Sequence, residues 1–238
     1  MLSFIIPAHD EEAVIASTIR AVRDAAARVD EPYEVIVVDD ASTDRTAAIA
    51  EAEGVRLVRI AARHIAAARN AGAAVARGEL LVFVDADTLV NVAAVRGAVE
   101  AFRGGAVGGG AAVRFDEPTP FYARALLPLV LWVYRRLRLA SGCFLFCTRV
   151  AFESVSGFDE GLFAAEEVEM SRALRKQGRF VMLRGTVVTS GRKLRTYSAW
   201  QLFSTLVRLA LAGRRELSDR RRLALWYGPR RKDPRAAA

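Results

Sequence analysis

The first half of the chain alternates short apolar runs with longer segments in which apolar residues recur at helical spacing. The runs LSFIIP (2–7) and YEVIVVDD (33–40) are rich in β-branched residues and are typical of strands buried on both faces. Between them, apolar residues at spacings of four, three and four predict a helix over 12–29. The chain is therefore expected to begin with a strand, a helix and a second strand.

The segment after the second strand predicts another helix with its own start and stop signals. Ser42 or Thr43 is expected to cap it, Asp44 lies in its expected first turn, and Gly54 ends it. The elements predicted next are a strand over 55–60, an alanine-rich helix up to Ala76 and a strand over 79–84. This alternation predicts an α/β fold with a mostly parallel, doubly wound sheet.

The second half of the chain is less regular. Its predicted elements are a strand over 106–115, a helix over 125–140, a strand over 141–148, a helix over 163–178, one or two strands over 179–188 and a helix over 199–215. A basic tail follows. The apolar stretches of 125–140 and 199–215 each run into arginines, which also fits an interfacial membrane anchor, but buried core is the favoured interpretation.

Composition and charge narrow the class of protein. With 238 residues, 53% hydrophobic and 26% charged, the chain is globular and long enough for a full core. The net charge of +8 is uneven, because residues 192–238 hold 13 basic and 3 acidic side chains and residues 1–191 are close to neutral. A nucleic-acid binder usually spreads its positive charge over the folded face, so nucleic acid is not expected as a partner. A basic tail suits an anionic membrane surface or a phosphate-bearing ligand.

The N-terminus and the cysteines favour a cytoplasmic protein. The apolar stretch 2–8 is too short for a signal peptide or a bilayer span. Cys143 and Cys147 match no metal or redox spacing and are expected to be buried, reduced thiols. The expected location is the cytoplasm, with peripheral contact to the inner face of the membrane as an option.

Acidic residues follow three of the predicted strands. The segments are Pro7 to Asp10, Asp39-Asp40 and Asp85-Ala86-Asp87. Since the carboxyl ends of parallel strands meet at one edge of a sheet, these groups are expected to share a site. Neither a Gly-x-Gly-x-x-Gly loop nor a Walker loop is present. Carboxylates can instead accept hydrogen bonds from a base or a ribose, and can hold a divalent metal that neutralises a diphosphate.

The order of the motifs resembles that of the family-two glycosyltransferases, which have the GT-A fold. The motifs are FIIPAHDEE, EVIVVDDASTDRT, AAARNAGAAVARGELLVFVDADT, SGFDE and AAEEVEMSRALRKQG, and together they span residues 3 to 180. Their order and spacing carry the resemblance, since any one of them alone is common. The resemblance implies a nucleoside-diphosphate sugar as donor and Mn²⁺ or Mg²⁺ as cofactor.

The resemblance also implies roles for individual residues. The implied nucleotide-sugar contacts with a stated role are Pro7 and His9 in the base pocket, Asp40 reading the base, Asp85 near the ribose and Arg192 near the diphosphate. The further implied contacts are Ala8, Asp10, Glu11, Asp39, Arg69, Asn70 and Ala86. Asp87, together with Asp85, is the implied metal site. The family often supplies a further histidine downstream, but both histidines here lie upstream, so the third metal ligand stays open and Ser190 or Arg192 is the substitute for the diphosphate contact.

The pair Glu166-Glu167 stands where the family has a Glu-Asp pair. The resemblance implies that Glu167 is the catalytic base, although its longer side chain leaves Glu166 open as the alternative. The implied reaction is a single displacement: an acceptor hydroxyl loses its proton to the base, attacks the anomeric carbon and inverts its configuration. The acceptor is not identified; the apolar segments with arginines suggest a lipid-linked one.

The expected organisation is a catalytic domain over 1–190, with a nucleotide-binding half (about 1–90) and an acceptor half (about 91–190), followed by a basic, partly helical segment over 191–238 that could face a membrane. Two rival functions stay open. Asp85 in VDADT could be the nucleophile of a haloacid-dehalogenase-like phosphotransferase, although Leu89 departs from that motif. The acidic cluster could also belong to a non-catalytic phosphoacceptor module, although such a module is about half as long.

Overall fold

The computed structural model describes residues 1–117, 119–202, 204–205, 217–220, 223 and 227. Its centre is one eight-stranded sheet with the order β3-β2-β1-β4-β7-β6-β8-β5. The strands are β1 (Leu2–Ala8), β2 (Tyr33–Asp40), β3 (Arg56–Ile60), β4 (Leu80–Val84), β5 (Thr88–Leu89), β6 (Gly108–Phe115), β7 (Phe144–Thr148) and β8 (Phe180–Thr189). The helices are α1 (Ile15–Ala26), α2 (Thr46–Ala52), α3 (Ile65–Val75), α4 (Val92–Arg103), α5 (Phe121–Arg136), α6 (Arg149–Ser154), α7 (Glu166–Gln177) and α8 (Arg192–Thr196).

The first four strands form the parallel half of the sheet. β1 pairs with β2 and with β4, and β3 pairs with β2, all in parallel. Successive side chains of a strand point to opposite faces, so Phe4 and Ile6 join the core on one side while Ile5 joins the core on the other. Helices α1 and α4 cover the first face, and α3, α6 and α7 cover the second. The mostly parallel, doubly wound α/β sheet predicted from the pattern is confirmed.

The second half of the sheet contains both parallel and antiparallel strand pairs, and glycines in β6 let its strands pack closely. β7 runs antiparallel between β4 and β6, while β6 and β8 pair in parallel. In β6 a Cβ atom on Gly109 would lie 2.1 Å from the carbonyl oxygen of Val181 and 2.5 Å from the ring of Phe146. The glycine run that weakens the strand pattern is therefore what lets β6 sit between two close neighbours.

Several element boundaries differ from the prediction. α1 begins at Ile15, later than expected. α2 is not capped by Ser42 or Thr43: the carboxylate of Asp44, just before the helix, accepts a 2.9 Å hydrogen bond from the backbone amide of Thr46. β5, α4, α6 and α8 were not predicted. The short elements β5, α6 and α8 carry little periodicity of their own, whereas the apolar residues of α4 do recur at helical spacing and could have predicted it.

Helix α5 overturns the expectation that its apolar stretch is buried core. Phe121 is 85% exposed, Leu129 61% and Trp132 62%. Among the residues of α5, only Ala123 is buried. The second such stretch, 199–215, lies largely outside the described residues. Within the part of the chain that the structure describes, no helix is both long and apolar enough to cross a membrane.

The two thiols differ in burial. Cys147 is buried in β7, Cys143 precedes that strand and is only partly buried, and both are free. Burial raises the pKa of each thiol above its ordinary value, with the carboxylate of Asp85 adding to the rise at Cys143. Thiols in that state are poor nucleophiles, in line with a structural role.

Replacing Gly109 by alanine is expected to destabilise the fold. The added Cβ overlaps a backbone oxygen that cannot move without breaking the β6–β8 pairing, so the free energy of unfolding should fall by about 1–3 kcal/mol. Gly185→Ala in β8 is the matched control, because its Cβ would meet nothing closer than 3.5 Å. Urea unfolding of both variants checks this, and equal stability of the two would contradict the packing argument.

Candidate active site

The acidic strand ends lie at one edge of the sheet, as the sequence predicts. Ala8 is paired with Asp39 across β1 and β2, and Asp85 directly follows the adjacent strand β4. The chain then turns through Ala86 and Asp87 into β5. This turn is anchored, because the hydroxyl of Thr18 in α1 donates a 2.7 Å hydrogen bond to the carbonyl of Ala86.

A buried arginine joins the two halves of this edge. The guanidinium of Arg69, on α3, donates to Asp85 at 2.9 Å and to Glu166, at the start of α7, at 2.5 Å. Its exposure is 1%, and its Nε has no partner. The same guanidinium lies 5.1 Å from the ring centroid of Phe158. Arg69 thus places a positive charge of the protein itself next to Asp85, at the acidic end of β4.

Electrostatics hold this arginine charged. Burial alone lowers the pKa of Arg69, but the carboxylates of Asp85, Glu166 and Glu167 outweigh it and raise that pKa above its ordinary value. Gly142 leaves room for the contact, since a Cβ there would lie 2.8 Å from a guanidinium nitrogen, and its carbonyl accepts a 3.4 Å hydrogen bond from Arg69. Gly142 was not singled out from the sequence, where it falls within the strand predicted over 141–148.

Asn70 contacts a loop of the protein. Its amide nitrogen donates to the carbonyl of Phe158 at 2.9 Å and to the carboxylate of Glu160 at 2.8 Å, and its carbonyl oxygen accepts from the amide of Phe158 at 2.9 Å. These bonds hold the loop that carries Phe158 against α3. The two residues of the Arg-Asn pair predicted from the sequence therefore have different contacts. Arg69 binds the carboxylates, and Asn70 holds the loop beside them.

Asp87 is half-buried at the centre of the acidic edge. Thr189 in β8 donates a 3.2 Å hydrogen bond to its carboxylate and itself accepts one from Thr88 at 3.0 Å. Burial, followed by the charges of Glu11 and Asp85, raises the pKa of Asp87 to about 6, against the pull of Lys193 and Arg192. Thr189 was missed by the sequence reasoning, because only the register of β5 against β8 brings it to Asp87.

Glu11 and Arg192 form an ion pair at the same edge. Two nitrogens of Arg192 each lie 3.3 Å from an oxygen of Glu11, which is 6% exposed. Arg192 opens the short helix α8. Arg195, on the same helix, is bonded to Asp116 at 2.8 Å and so supports the helix. The first turn of α8 thereby lies beside the acidic strand ends.

The two aspartates that end β2 have different surroundings. Both oxygens of Asp40 accept 2.6 Å hydrogen bonds from backbone amides, those of Arg63 and His64. Asp39 is 5% exposed, and its Oδ1 is buried without a hydrogen-bond partner. An unpaired buried acceptor is costly, so a ligand donor at this position would be stabilising. The geometry thus leaves Asp39 available, whereas Asp40 is occupied in holding the loop after β3.

The segment after β1 forms a tight network with the segment after β2. The ring of His9 lies 2.8 Å from the carbonyl oxygen of Asp40 and 3.0 Å from the carboxylate of Asp10. Asp10 has a φ of 51° and accepts a 2.7 Å hydrogen bond from the amide of Thr43. Pro7 is buried at the end of β1. These contacts shape the wall of the site, with His9 and Asp10 partly exposed.

The two glutamates of the predicted catalytic pair are not equivalent. Glu166 is 4% exposed and is held by Arg69. Glu167 is half-buried, and its carboxylate forms no ion pair within the described part of the chain. Burial and the neighbouring charge of Glu166 raise the pKa of Glu167 well above that of an ordinary carboxylic acid, with Arg69 opposing. The environment therefore keeps Glu167 available for proton transfer and uses Glu166 as a structural anion.

The donor set at the acidic edge suits a hard divalent cation. Asp85 and Asp87 offer carboxylate oxygens, which are the ligands that Mg²⁺ and Mn²⁺ take. Within the described residues, no group of three His, Cys, Asp or Glu side chains could enclose a metal. Two carboxylates fit an ion that completes its shell with waters and substrate phosphates.

Comparison with known families identifies the family to which the chain belongs. Residues 3–160 match the family described as Glycosyl transferase family 2. The chain belongs to glycosyl transferase family 2. This confirms the resemblance that the motifs indicated and makes the protein a member of a family of glycosyltransferases, and it favours neither of the two rival functions. The match ends before Glu166 and Glu167, so the role of that pair rests on the structure and on the motif order alone.

Curated relatives match part of the chain. The undecaprenyl-phosphate 4-deoxy-4-formamido-L-arabinose transferase of Aeromonas hydrophila is 36% identical over 96 residues, which are 37% of this chain and 29% of that protein. The transferase of the same name from Pseudomonas aeruginosa is 33% identical over 96 residues, 37% of this chain and 28% of that protein. The match thus spans less than a third of the length of these relatives.

Solved structures share the fold. The mannosyltransferase PcManGT from Pyrobaculum calidifontis, in complex with GDP-Man and Mn²⁺, has a TM-score of 0.66 and 24% identity, covering 86% of this chain and 60% of that one. Staphylococcus aureus TarS in complex with UDP-GlcNAc has a TM-score of 0.64 and 18% identity, covering 94% and 69%. At these identities the comparison shows the fold alone, and it confirms the GT-A-like architecture expected from the sequence.

Replacing Arg69 by methionine is expected to lower the free energy of unfolding by about 3–5 kcal/mol, because Asp85 and Glu166 then lose a buried counter-charge. Urea unfolding of the wild type and the variant at pH 7 measures this.

The control for this variant is Arg20→Met. Arg20 bonds Glu53 at 2.6 Å, but its side chain is 68% exposed, so its loss should cost less than about 1 kcal/mol. Equal losses from the two substitutions would show that the buried bridge contributes nothing special to stability.

Proposed function

We propose that the protein is a metal-dependent, inverting glycosyltransferase that moves a sugar from a nucleoside-diphosphate sugar to an acceptor on a lipid. The observation that carries the proposal is the juxtaposition at one sheet edge of an unpartnered buried acceptor, Asp39, two metal-type carboxylates, Asp85 and Asp87, and a half-buried base, Glu167. The proposed catalytic domain covers residues 1–190, and Arg192 from the following segment contributes to its site.

The donor's base is proposed to bind between the ends of β1 and β2. Asp39 would accept from a base N–H, since its Oδ1 is the buried acceptor without a partner. Motif order pointed to Asp40 for this role, but both of its oxygens already bond backbone amides. The buried Pro7 and the partly exposed His9 would form the neighbouring wall. The comparison structures with UDP-GlcNAc and GDP-Man describe donors of this class in other proteins.

Asp85 and Asp87 would hold Mn²⁺ or Mg²⁺ together with the donor's phosphate oxygens. When bound, the metal would neutralise the charge that grows on the departing diphosphate. PcManGT and glucosyl-3-phosphoglycerate synthase from Mycobacterium tuberculosis are both described with Mn²⁺. Arg192, held beside Asp87 by its pair with Glu11, would add a fixed positive charge next to the same phosphates.

Glu167 would remove the proton of an acceptor hydroxyl as that oxygen attacks the anomeric carbon. The raised pKa of Glu167 suits a general base, because it lies closer to neutrality than that of an ordinary carboxylate. Glu166 and Arg69 would keep the base in place: they fix the first turn of α7 against α3 and Asp85. The diphosphate leaves from the face opposite the attack, which gives inversion.

The acceptor is proposed to be lipid-linked. The curated relatives from Aeromonas and Pseudomonas are named for transfer to undecaprenyl phosphate, and the apolar helix α5 lies exposed at the acceptor half of the fold. A lipid hydroxyl would need Glu167 as base. A lipid phosphate is already ionised and would not, so the dependence on Glu167 separates the two kinds of acceptor.

Thermal unfolding with UDP, GDP, CDP and TDP, each with and without Mn²⁺, tests the donor site. One diphosphate should stabilise the protein only with metal, by about 2.7 kcal/mol at a hundred times its Kd. Asp87→Asn should abolish that shift and yet raise the melting temperature of the free protein at pH 7. The reason is that the folded-state pKa of Asp87, about 6, exceeds its unfolded value, so its ionisation at pH 7 opposes folding.

The gain from Asp87→Asn should fade as the pH falls through 6, where Asp87 protonates in the wild type. Asp24→Asn, at an exposed site on α1, is the control and should change neither property. If no diphosphate stabilises the wild type at any metal concentration, the proposed donor site is wrong.

Glu167→Gln should lower the rate of donor hydrolysis, with water as acceptor, by about 10²- to 10⁴-fold while leaving diphosphate affinity unchanged. Glu166→Gln should instead weaken folding, since it removes the charge that Arg69 pairs with. Release of sugar and urea unfolding are measured for both variants. A normal rate in Glu167→Gln together with a slow rate in a stably folded Glu166→Gln would move the base to Glu166.

A further inference from the structure

Helix α5 exposes a continuous apolar face. Residues spaced three and four apart lie on one side of a helix, and on α5 this side carries Phe121, Leu126, Leu129, Val130, Trp132 and Val133, which are 36% to 85% exposed. Soluble monomers rarely leave such a contiguous patch uncovered, so the face marks an interaction site. The opposite side of the helix, with Ala123, packs on the protein.

Arginines flank this face at both ends, and the segment that carries it contains no acidic residue. Residues 121–138 contain arginines at 124, 135, 136 and 138 and no acidic residue. Three of the four lie at the C-terminal end, next to the exposed Leu137. An apolar face with arginines at its border complements an anionic bilayer, whose headgroups meet the arginines while its acyl region receives the apolar side chains. A second copy of the same face would offer no anion to the four arginines.

The dimensions of α5 suit the interface of a bilayer. Its 16 residues extend about 24 Å, which is shorter than the hydrocarbon core of about 30 Å. Trp132 supplies an amphipathic ring of the kind enriched at the headgroup level. Trp200, 73% exposed, lies three residues beyond Tyr197, whose carbonyl accepts from the hydroxyl of Tyr122 on α5. The segment after α8 therefore carries a second exposed aromatic, three residues from a contact with α5.

Both ends of α5 are bonded to helices that begin at the candidate site. Near its start, Tyr122 donates a 2.6 Å hydrogen bond to the carbonyl of Leu194 in α8, the helix that begins with Arg192. Just past its end, the carbonyl of Leu137 accepts a 2.7 Å hydrogen bond from Arg175 of α7, the helix that begins with the glutamate pair. Burial, and then the charge of Glu167, raises the pKa of Tyr134 to about 12.

We infer that α5 is an interfacial docking helix: its apolar face inserts into the headgroup region of an anionic membrane and sets the base Glu167 at the lipid surface. The partner is an anionic phospholipid bilayer. The helix orients the enzyme so that an acceptor in the membrane reaches the site without leaving the lipid. This role in acceptor delivery rests on the proposed function, whereas docking itself requires no donor and is tested without one.

Sedimentation of the full chain with vesicles tests the inference. The vesicles are made of phosphatidylcholine alone or of phosphatidylcholine mixed with phosphatidylglycerol. The wild type should bind the anionic vesicles more tightly. The double variant Leu129→Glu, Trp132→Glu should lower that partition by roughly tenfold or more, because two exposed apolar side chains are lost from the contact. Arg136→Gln should lower it by roughly fivefold on anionic vesicles only.

Val150→Glu is the matched control. Val150 is 78% exposed but lies on α6, away from α5, so its variant should bind as the wild type does. Circular dichroism and the diphosphate thermal shift show that each variant is folded with an intact donor site, and they separate failure of docking from failure of the proposed function.

Undiminished binding of the α5 double variant would overturn the inference, since the basic C-terminal segment would then account for membrane contact. Failure of the wild type to bind either vesicle would overturn it as well. Light scattering that shows a wild-type dimer and a monomeric double variant, without vesicle binding, would assign the face to a second copy of the chain.

Discussion

The buried bridge from Arg69 to Asp85 and Glu166 is the interaction on which the site depends. α3, the end of β4 and the start of α7 belong to separate parts of the chain, and this guanidinium is bonded to both of the others at once. Taking three charges out of water is costly, and only well-formed hydrogen bonds offset that cost. The bridge therefore holds one geometry, and it links the end of β4 to the start of α7.

The same edge concentrates negative charge beyond what the bridge neutralises. Asp87 is half-buried near Glu11 and Asp85, and Glu167 lies beside Glu166, so the pKa values of both Asp87 and Glu167 are raised. Such groups oppose folding at neutral pH and are retained where a ligand or a reaction uses them. Binding of a cation or a proton would relieve this repulsion. The free energy of unfolding is therefore expected to rise when the proposed ligands bind.

Division of labour between neighbouring residues recurs throughout the site. Asp40 accepts hydrogen bonds from a loop, whereas Oδ1 of Asp39 has no hydrogen-bond partner. Glu166 is paired with Arg69, whereas Glu167 forms no ion pair within the described residues. Asn70 holds a loop beside Arg69. In the two acidic pairs, one carboxylate is held by hydrogen bonds or an ion pair and its neighbour is not. Precise placement of a reactive group requires this support, because a carboxylate without neighbours would sample many rotamers.

The sequence by itself determined the parallel half of the fold, because two-sided burial leaves continuous apolar strands and helical spacing between them. It also determined that the acidic residues after β1, β2 and β4 meet, since parallel strands end at a common edge. That rule predicts Asp85 as part of the site, whereas Arg69 and Glu166 are implied only by the resemblance in motif order.

The members of each pair are distinguished only by contacts between distant segments. Asp39 and Asp40 are adjacent and chemically identical, and what distinguishes them is the backbone amides of Arg63 and His64 after another strand. Thr189 reaches Asp87 through the β5–β8 register. The apolar residues of α5 have the composition of core, and their exposure follows from where the helix docks. Sequence pattern records side-chain chemistry and local period, whereas hydrogen-bond partners and burial between distant segments are fixed by the packing of the whole chain.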